Sequence, residues 1–274
     1  MTNQPTVIPC RICGASSQRV FELRIFDQHS AAYYFCERCG YTQTEQPTWL
    51  EEAYVEPVDR SDTGLLERNL DAQGIVATFC SLARIGDGLC VDFGGGYAVF
   101  TRLMRDAGFR FLHHDPLSEN LLARGFEWES GEPVLCTAFE VLEHFVDPIV
   151  VFGEIDRMGV QFVIASTVVN QADGPPPPDW WYLAPQTGQH VGFFQERTLA
   201  SLGRENGFPY VLTGGMYHLF SRRPFSRWRW WVALKLGPRL FRIGPRLFRA
   251  VSRRQSLVES DHIEQGGKGP TRTP

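Results

Sequence analysis

Two patterns in this sequence have the residue types and spacing to do chemistry. "CRICG" and "CERCG" place Cys10, Cys13, Cys36 and Cys39 in two knuckles separated by 22 residues. A CxxC turn presents two thiolates to one ion, and Gly14 or Gly40 lets the chain reverse tightly behind each pair. Two such turns complete tetrahedral sulfur coordination, which suits zinc. Four thiolates close the sphere, so the predicted metal is structural and leaves no place for a catalytic water. A redox pair is the alternative for a single CxxC. Cys80, Cys90 and Cys136 fall in helix or strand patterns and read as core residues.

The second pattern is "VDFGGGYAVF", residues 91–100. A dinucleotide turn reads GxGxxG, with a small third position for close helix packing. Gly94 and Gly96 fit the first two positions, but Val99 occupies the third. The stretch instead reads GxGxA, with Gly94, Gly96 and Ala98 around Gly95. Asp92 precedes the turn. A carboxylate there would repel a pyrophosphate and favour a sulfonium cofactor that carries an ammonium group. Asp115 follows Gly96 by 19 residues, at the end of the next predicted strand, where an acid can accept hydrogen bonds from ribose hydroxyls. That spacing is shared by NAD sites. It supports nucleoside binding without deciding the cofactor.

The elements that must hold these residues alternate. "GLCVDF" reads as a strand, "YAVFTRLMRDAG" as a helix and "FRFLHHD" as a strand. "SENLLARG" reads as a helix and "PVLCTAF" as a strand; "DPIVVFGEIDRMG" and "VQFVIAST" continue the alternation. "QERTLASLGRENG" is a predicted helix before two closing strands in "PYVLTGGMYHLFSRR". The pattern predicts the α/β class: a doubly wound, mostly parallel sheet with helices on both faces, preceded by a small zinc-binding module. Its predicted boundaries are a knuckle module over 1–50, the α/β domain over 51–221, a basic aromatic extension over 222–254 and a disordered tail over 255–274. Residues 40–62 read as a connector with a short helical patch.

A chain of 274 residues, 43% hydrophobic and 21% charged, can bury a sizeable core. No apolar run approaches the ~18 residues needed to cross a bilayer, and the N-terminus lacks the pattern of a secretory signal. The cytoplasm is the expected location. The net charge of −4 is unevenly spread, because residues 222–254 hold 11 bases and no acid. There "GPRLFR" repeats with a period of seven, with Pro238 and Pro245 at expected helix starts. With "RWRWW" upstream, the segment reads either as an interfacial helix on an anionic membrane surface or as a helix packed on the acidic body. No nucleic-acid-binding module accompanies it.

Further along, "CTAFEVLEHFVDP", residues 136–148, follows the fourth strand. Together with "VDFGGGYA" and "HHDP", it resembles the class I methyltransferases that use S-adenosylmethionine, over about residues 64–221. The resemblance implies that Gly94, Gly95, Gly96 and Ala98 contact the methionine part, that Asp115 holds the ribose, and that Glu140 lines the pocket. Glu127 and Glu129 lie near the expected adenine contact but read as exposed loop acids. His113 and His114 read as pocket walls or surface groups. Glu143 and His144 read as shaping the short helix of that motif.

The knuckles ahead of such a domain are similar to the zinc-containing group that includes C-methyltransferases of nucleotide-linked deoxy sugars. In "WWYLAPQTGQHVGFFQERTL", residues 180–199, His190 matches that group's histidine and Phe193–Phe194 its aromatic pair. Gln189 stands where the group usually has Glu, and the group's longer C-terminal domain has no counterpart here. The resemblance implies a small sugar-linked acceptor, with His190 as the first candidate base and Tyr182 as the second. Trp180, Trp181 and Tyr182 would form a stacking wall. The competing expectations are an NAD-dependent oxidoreductase on a similar sheet and a non-catalytic membrane-associated scaffold.

Overall fold

The computed structural model describes residues 5–54, 62–244 and 254–267. Its strands are β1 (Val7–Pro9), β2 (Ser16–Ile25), β3 (His29–Phe35), β4 (Thr42–Thr44), β5 (Cys90–Phe93), β6 (Phe111–His114), β7 (Leu135–Phe139), β8 (Phe162–Ser166), β9 (Gly192–Phe193), β10 (Tyr210–Gly214) and β11 (Tyr217–Ser221). Its helices are α1 (Leu50–Ala53), α2 (Leu65–Ala83), α3 (Val99–Asp106), α4 (Pro148–Arg157), α5 (Glu196–Glu205), α6 (Arg227–Ile243) and α7 (Val258–Glu264). Contacts divide the chain into two compact units, residues 1–59 with 138–224 and residues 60–137 with 225–274.

In the first unit, β1 to β4 form an antiparallel meander that β9 completes, with Thr42 opposite Phe193. Its core gathers Ile25, Tyr33, Trp49, Tyr182, Leu183, Val191 and Phe193. Trp49 also donates its indole N–H to the Gly188 carbonyl at 2.9 Å. Full burial of such a side chain contributes about 2 kcal/mol or more, so the Trp49 ring anchors residues read as a connector. The same unit holds an antiparallel trio, β8–β11–β10. Phe152 of α4 packs on Phe220 and Phe208 at its face. Asp147 caps α4 by accepting from the Ile149 N–H, and Pro148 starts the helix at a position that needs no N–H.

The second unit carries the parallel strands that the α/β expectation requires. β5 pairs in parallel with both β6 and β7, Cys90 standing opposite Phe111 on one side and Leu135 on the other. Strands buried on both faces are continuous apolar runs, and β5 is buried throughout. Helix α2 crosses α6 at two glycines. A Cβ on Gly74 would lie 2.6 Å from the Gly237 carbonyl oxygen, so only glycine permits the approach.

Three expectations are corrected. "SENLLARG" is a bonded turn and not a helix. The Asn120 side chain accepts from the Ala123 N–H at 2.8 Å and donates to the Ala123 carbonyl at 2.7 Å, taking backbone groups a helix would need. Pro238 does not start a helix, because α6 runs through Gly237 and Pro238 to Ile243; the glycine crossing with α2 packs the chain there. The second repeat, with Pro245, lies outside the described residues. The expected disordered tail forms α7 over Val258–Glu264. Asp261 anchors it: Arg105 grips its two oxygens at 2.8 and 2.6 Å, and Arg102 adds a bond of 2.8 Å. Burial works to raise the Asp261 carboxyl, and these hydrogen bonds overcome it and hold it below the usual range. Among the described residues, no helix is long and apolar enough to cross a membrane.

Candidate functional site

The glycine turn sits at the carboxyl end of β5. The Gly94 N–H donates to the His114 carbonyl at 2.8 Å, and Gly94, Gly96 and Ala98 all have positive φ, of 65°, 55° and 65°. Ala98 takes this left-handed conformation at the N-terminus of α3, so Val99 opens the helix. Gly95 is fixed by space. A Cβ there would stand 2.5 Å from Asp92 Oδ2 and 2.9 Å from His113 Cδ2.

Asp115 is tied to this turn. Its Oδ2 accepts from the Gly96 N–H at 2.8 Å, and its Oδ1 accepts from the Leu117 and Ser118 N–H groups at 2.8 and 3.0 Å. A half-buried carboxylate held this way keeps lone pairs for further donors. Asp92 lies beneath the turn, nearly fully buried. Thr137 donates to its Oδ1 at 2.7 Å and Thr101 to its Oδ2 at 3.1 Å. Burial pushes the Asp92 carboxyl up to about 7, against those two hydrogen bonds. His113 is buried and donates Nε2–H to the Gly96 carbonyl at 2.9 Å, bracing the turn from below. Glu127 accepts from Asn120 at 2.6 Å, and both Glu127 and Glu129 are exposed.

In the other unit, the motif after β7 builds a second cluster. Glu140 has φ 52°, rare for a residue with a side chain. Two bonds hold it: its N–H donates to Ser166 Oγ at 2.8 Å, and Ser166 returns a hydrogen to Glu140 Oε1 at 2.5 Å. A single 3-10 turn, Leu142–His144, then places Glu143 and His144 side by side. Tyr182 donates to Glu143 Oε1 at 2.6 Å, and the Val191 N–H donates to the Glu143 carbonyl at 2.8 Å. His190 donates Nδ1–H to the Tyr182 carbonyl at 2.7 Å, and His144 Nδ1 meets the Tyr54 hydroxyl at 2.9 Å. The two imidazoles lie edge to face, with centroids 4.9 Å apart.

Burial sets the ionisation of this cluster. It pushes His190 below its usual value, against the Tyr182 carbonyl and Glu140. Burial, with the neighbouring His190, pushes His144 down to about 3. Burial raises the Tyr182 phenol well above its usual value, and Glu143 and Glu140 add to that. Tyr182 therefore stays protonated, an orienting donor and a poor base. The aromatic wall is divided. Trp180 is half-buried against Tyr182 and Phe193, whereas Trp181 is 71% exposed. Gln189 donates to the Ala53 carbonyl at 2.9 Å, a structural anchor.

The four knuckle cysteines converge in the first unit. Cys10 and Cys39 Sγ are 3.5 Å apart, and Cys13 and Cys36 Sγ are 3.6 Å apart. Tetrahedral zinc with bonds of about 2.3 Å spaces its sulfurs by about 3.8 Å, so the donor set fits that ion. Gly14 and Gly40 close the knuckles with φ of 69° and 76°, each donating its N–H back to the first cysteine of its pair.

The family described as "Methyltransferase domain" matches residues 68–213, more than half of the chain. The chain belongs to this methyltransferase family. No curated protein matches the sequence. Among solved structures, the chain is similar to 1,6-didemethyltoxoflavin-N1-methyltransferase of Burkholderia thailandensis, at 16% identity and a TM-score of 0.44. That match covers 74% of this chain and 97% of the other. It is also similar to human N-acetylserotonin methyltransferase, at 14% identity and a TM-score of 0.41, over 64% of this chain and 66% of that one. CalO1, a methyltransferase of calicheamicin biosynthesis, matches at 14% identity and a TM-score of 0.35. This chain spans about half of its length, 53% of each chain being covered.

Glu143 and His144 lie on the short helix expected of that motif, and they also share a cluster with His190, Tyr182 and Tyr54. The available signal was the spacing of "EVLEH" itself.

Proposed function

We propose that this methyltransferase takes its methyl group from S-adenosylmethionine and passes it to a small sugar-linked acceptor of a glycan pathway. The observation that carries the cofactor assignment is the clamp of Asp115 on the Gly96 N–H. It fixes a carboxylate beside a glycine turn, where ribose hydroxyls can donate to it. Gly94, Gly95, Gly96 and Ala98 would receive the methionine part. Asp92 supports the turn from beneath through Thr101 and Thr137. Bound, the cofactor supplies both the methyl group and its leaving group.

On the acceptor side, His190 serves deprotonation. Its Nδ1–H is spent on the Tyr182 carbonyl, so Nε2 carries the lone pair. Tyr182 orients this arrangement and Glu143 receives its hydroxyl hydrogen. The half-buried Trp180 ring suits the apolar face of a sugar ring, in keeping with the resemblance to the sugar C-methyltransferases. Cys10, Cys13, Cys36 and Cys39 would hold a structural zinc, whose binding would stabilise the fold of the knuckle end of the meander on the order of 10 kcal/mol.

The basic helix supports a position for the enzyme at an anionic membrane surface. Facing α2, α6 buries Trp230, Ala233 and Phe241. Its other side exposes Trp228 stacked on Trp231, with ring centroids 4.7 Å apart, and Lys235 and Arg239 follow. Cations beside interfacial aromatics fit such a leaflet.

The test of the reaction is incubation with methyl-labelled cofactor and a panel of nucleotide sugars and glycan intermediates. Label in a sugar-linked product supports the reading. Label only in protein or RNA overturns the acceptor class.

A further inference from the structure

We propose that Glu143, His144 and His190 form a second metal site, distinct from the four cysteines, that holds a divalent transition-metal ion. One ligand atom from each of these three residues can be chosen so that all lie within 4.8 Å of one another. An ion with bonds of about 2.1 Å spreads its ligands by no more than about 4.2 Å, so small side-chain movements close the set. Two imidazoles and one carboxylate make a donor set of intermediate softness. It suits Mn²⁺, Fe²⁺, Co²⁺ or Zn²⁺ and leaves coordination positions open.

The surroundings are those of a built metal site. A ligating histidine needs its other ring nitrogen held, which fixes the tautomer and the ring plane. His190 Nδ1–H is held by the Tyr182 carbonyl at 2.7 Å, which leaves Nε2 as the lone-pair atom. His144 Nδ1 lies 2.9 Å from the Tyr54 hydroxyl, whose oxygen can accept Nδ1–H; the Gln189 main chain also faces the ring, a contact that an ion at Nε2 would displace. The carboxylate is oriented in turn, by the Tyr182 hydroxyl at 2.6 Å from Glu143 Oε1. Glu143 is fully buried on a 3-10 turn three residues ahead of α4, so its position is set by the fold. Glu140 lies within electrostatic range of His190 and adds negative charge beside the site.

The inference rests on placing the acceptor beside His190 and deepens that reading. With its Nε2 lone pair on the ion, His190 would hold the metal rather than the proton; the ion's charge would lower the pKa of an acceptor hydroxyl bound at an open position, and that proton would pass to solvent. Acceptors with a hydroxyl beside a second oxygen, as on a sugar ring, would chelate such an ion best.

Mn²⁺ is the probe, because it disfavours thiolates and so separates this site from the cysteines. Zinc-loaded protein would be titrated with Mn²⁺ and free Mn²⁺ followed by electron paramagnetic resonance, without cofactor or acceptor. We expect one Mn²⁺ per chain. Affinity should fall at least about 100-fold in His190→Ala and in Glu143→Gln, and about 10- to 100-fold in Tyr54→Phe, with zinc content and thermal unfolding checked in each. Absence of Mn²⁺ binding by the wild type, or binding unchanged in variants that remain folded, overturns the site. S-adenosylmethionine binding is measured separately, so loss of that reading and loss of this one are distinguishable.

Discussion

His190 donates its Nδ1–H to the main-chain carbonyl of Tyr182 at 2.7 Å, so its Nε2 carries the lone pair. The same two residues also meet ring to ring, with centroids 4.6 Å apart and the planes tilted by 57°. Replacing His190 by Ala should therefore lower turnover about 10²–10⁴-fold and leave cofactor affinity nearly unchanged. Asp115→Ala should weaken cofactor binding first. Single-turnover rates and calorimetry on both variants check the contrast, and a variant that loses both properties together has misfolded.

Turnover should persist to lower pH than an ordinary histidine allows. Burial holds His190 below its usual value, so its neutral form survives acidification further. The acidic limb of kcat/KM is expected below pH 6.5. A limb centred above that value would contradict the burial of the ring.

Stability should depend on His218 with a defined sign. His218 is buried, its Nε2–H is donated to the Thr167 carbonyl at 3.0 Å, and burial pushes it down to about 4. A histidine with a folded pKa below its unfolded value of about 6.5 takes up a proton more readily when unfolded. Its contribution is complete above 6.5 and is lost as pH falls toward 4. Asp92, raised to about 7, works in the opposite direction, so the readable quantity is a difference between proteins. Between pH 7 and 5, wild type should lose roughly 2 kcal/mol more than His218→Gln, measured by urea unfolding. Equal losses would show that His218 does not titrate in that window.

The glycine turn offers a pair of opposed substitutions. Gly95→Ala forces a methyl against Asp92 and His113 and should cost stability by about 1–3 kcal/mol, with cofactor affinity falling as well. Ala98→Gly relieves a left-handed alanine at φ 65°. It should be neutral or stabilising by up to about 1 kcal/mol, less the packing of the lost methyl on Phe126 and Ala123. Thermal unfolding of both variants checks the signs.

Cys10→Ser and Cys36→Ser should release the zinc and unfold the meander of β1 to β4, with a smaller effect on cofactor binding. Metal analysis and proteolysis near residue 40 report this. Metal-free wild type as stable as loaded protein would remove the structural role.

The sequence carried the α/β alternation, the knuckles and the glycine turn, because each depends on local pattern: period, CxxC spacing, or a left-handed backbone. It did not reveal the turn at Asn120–Ala123, where one side chain takes the backbone bonds of an expected helix. Nor did it reveal α7, which Asp261 fixes through Arg105 and Arg102, more than 150 positions earlier in the chain. Glu143, His144, Tyr54 and His190 come together from three distant segments, and no spacing rule registers such a meeting.

The most direct test of the account is calorimetry of the wild type and Asp115→Ala with S-adenosylmethionine, S-adenosylhomocysteine and NAD. Binding of both sulfur cofactors by the wild type, weakened at least tenfold in the variant, with no response to NAD, is the expected result. Tight NAD binding without any response to the sulfur cofactors would contradict it.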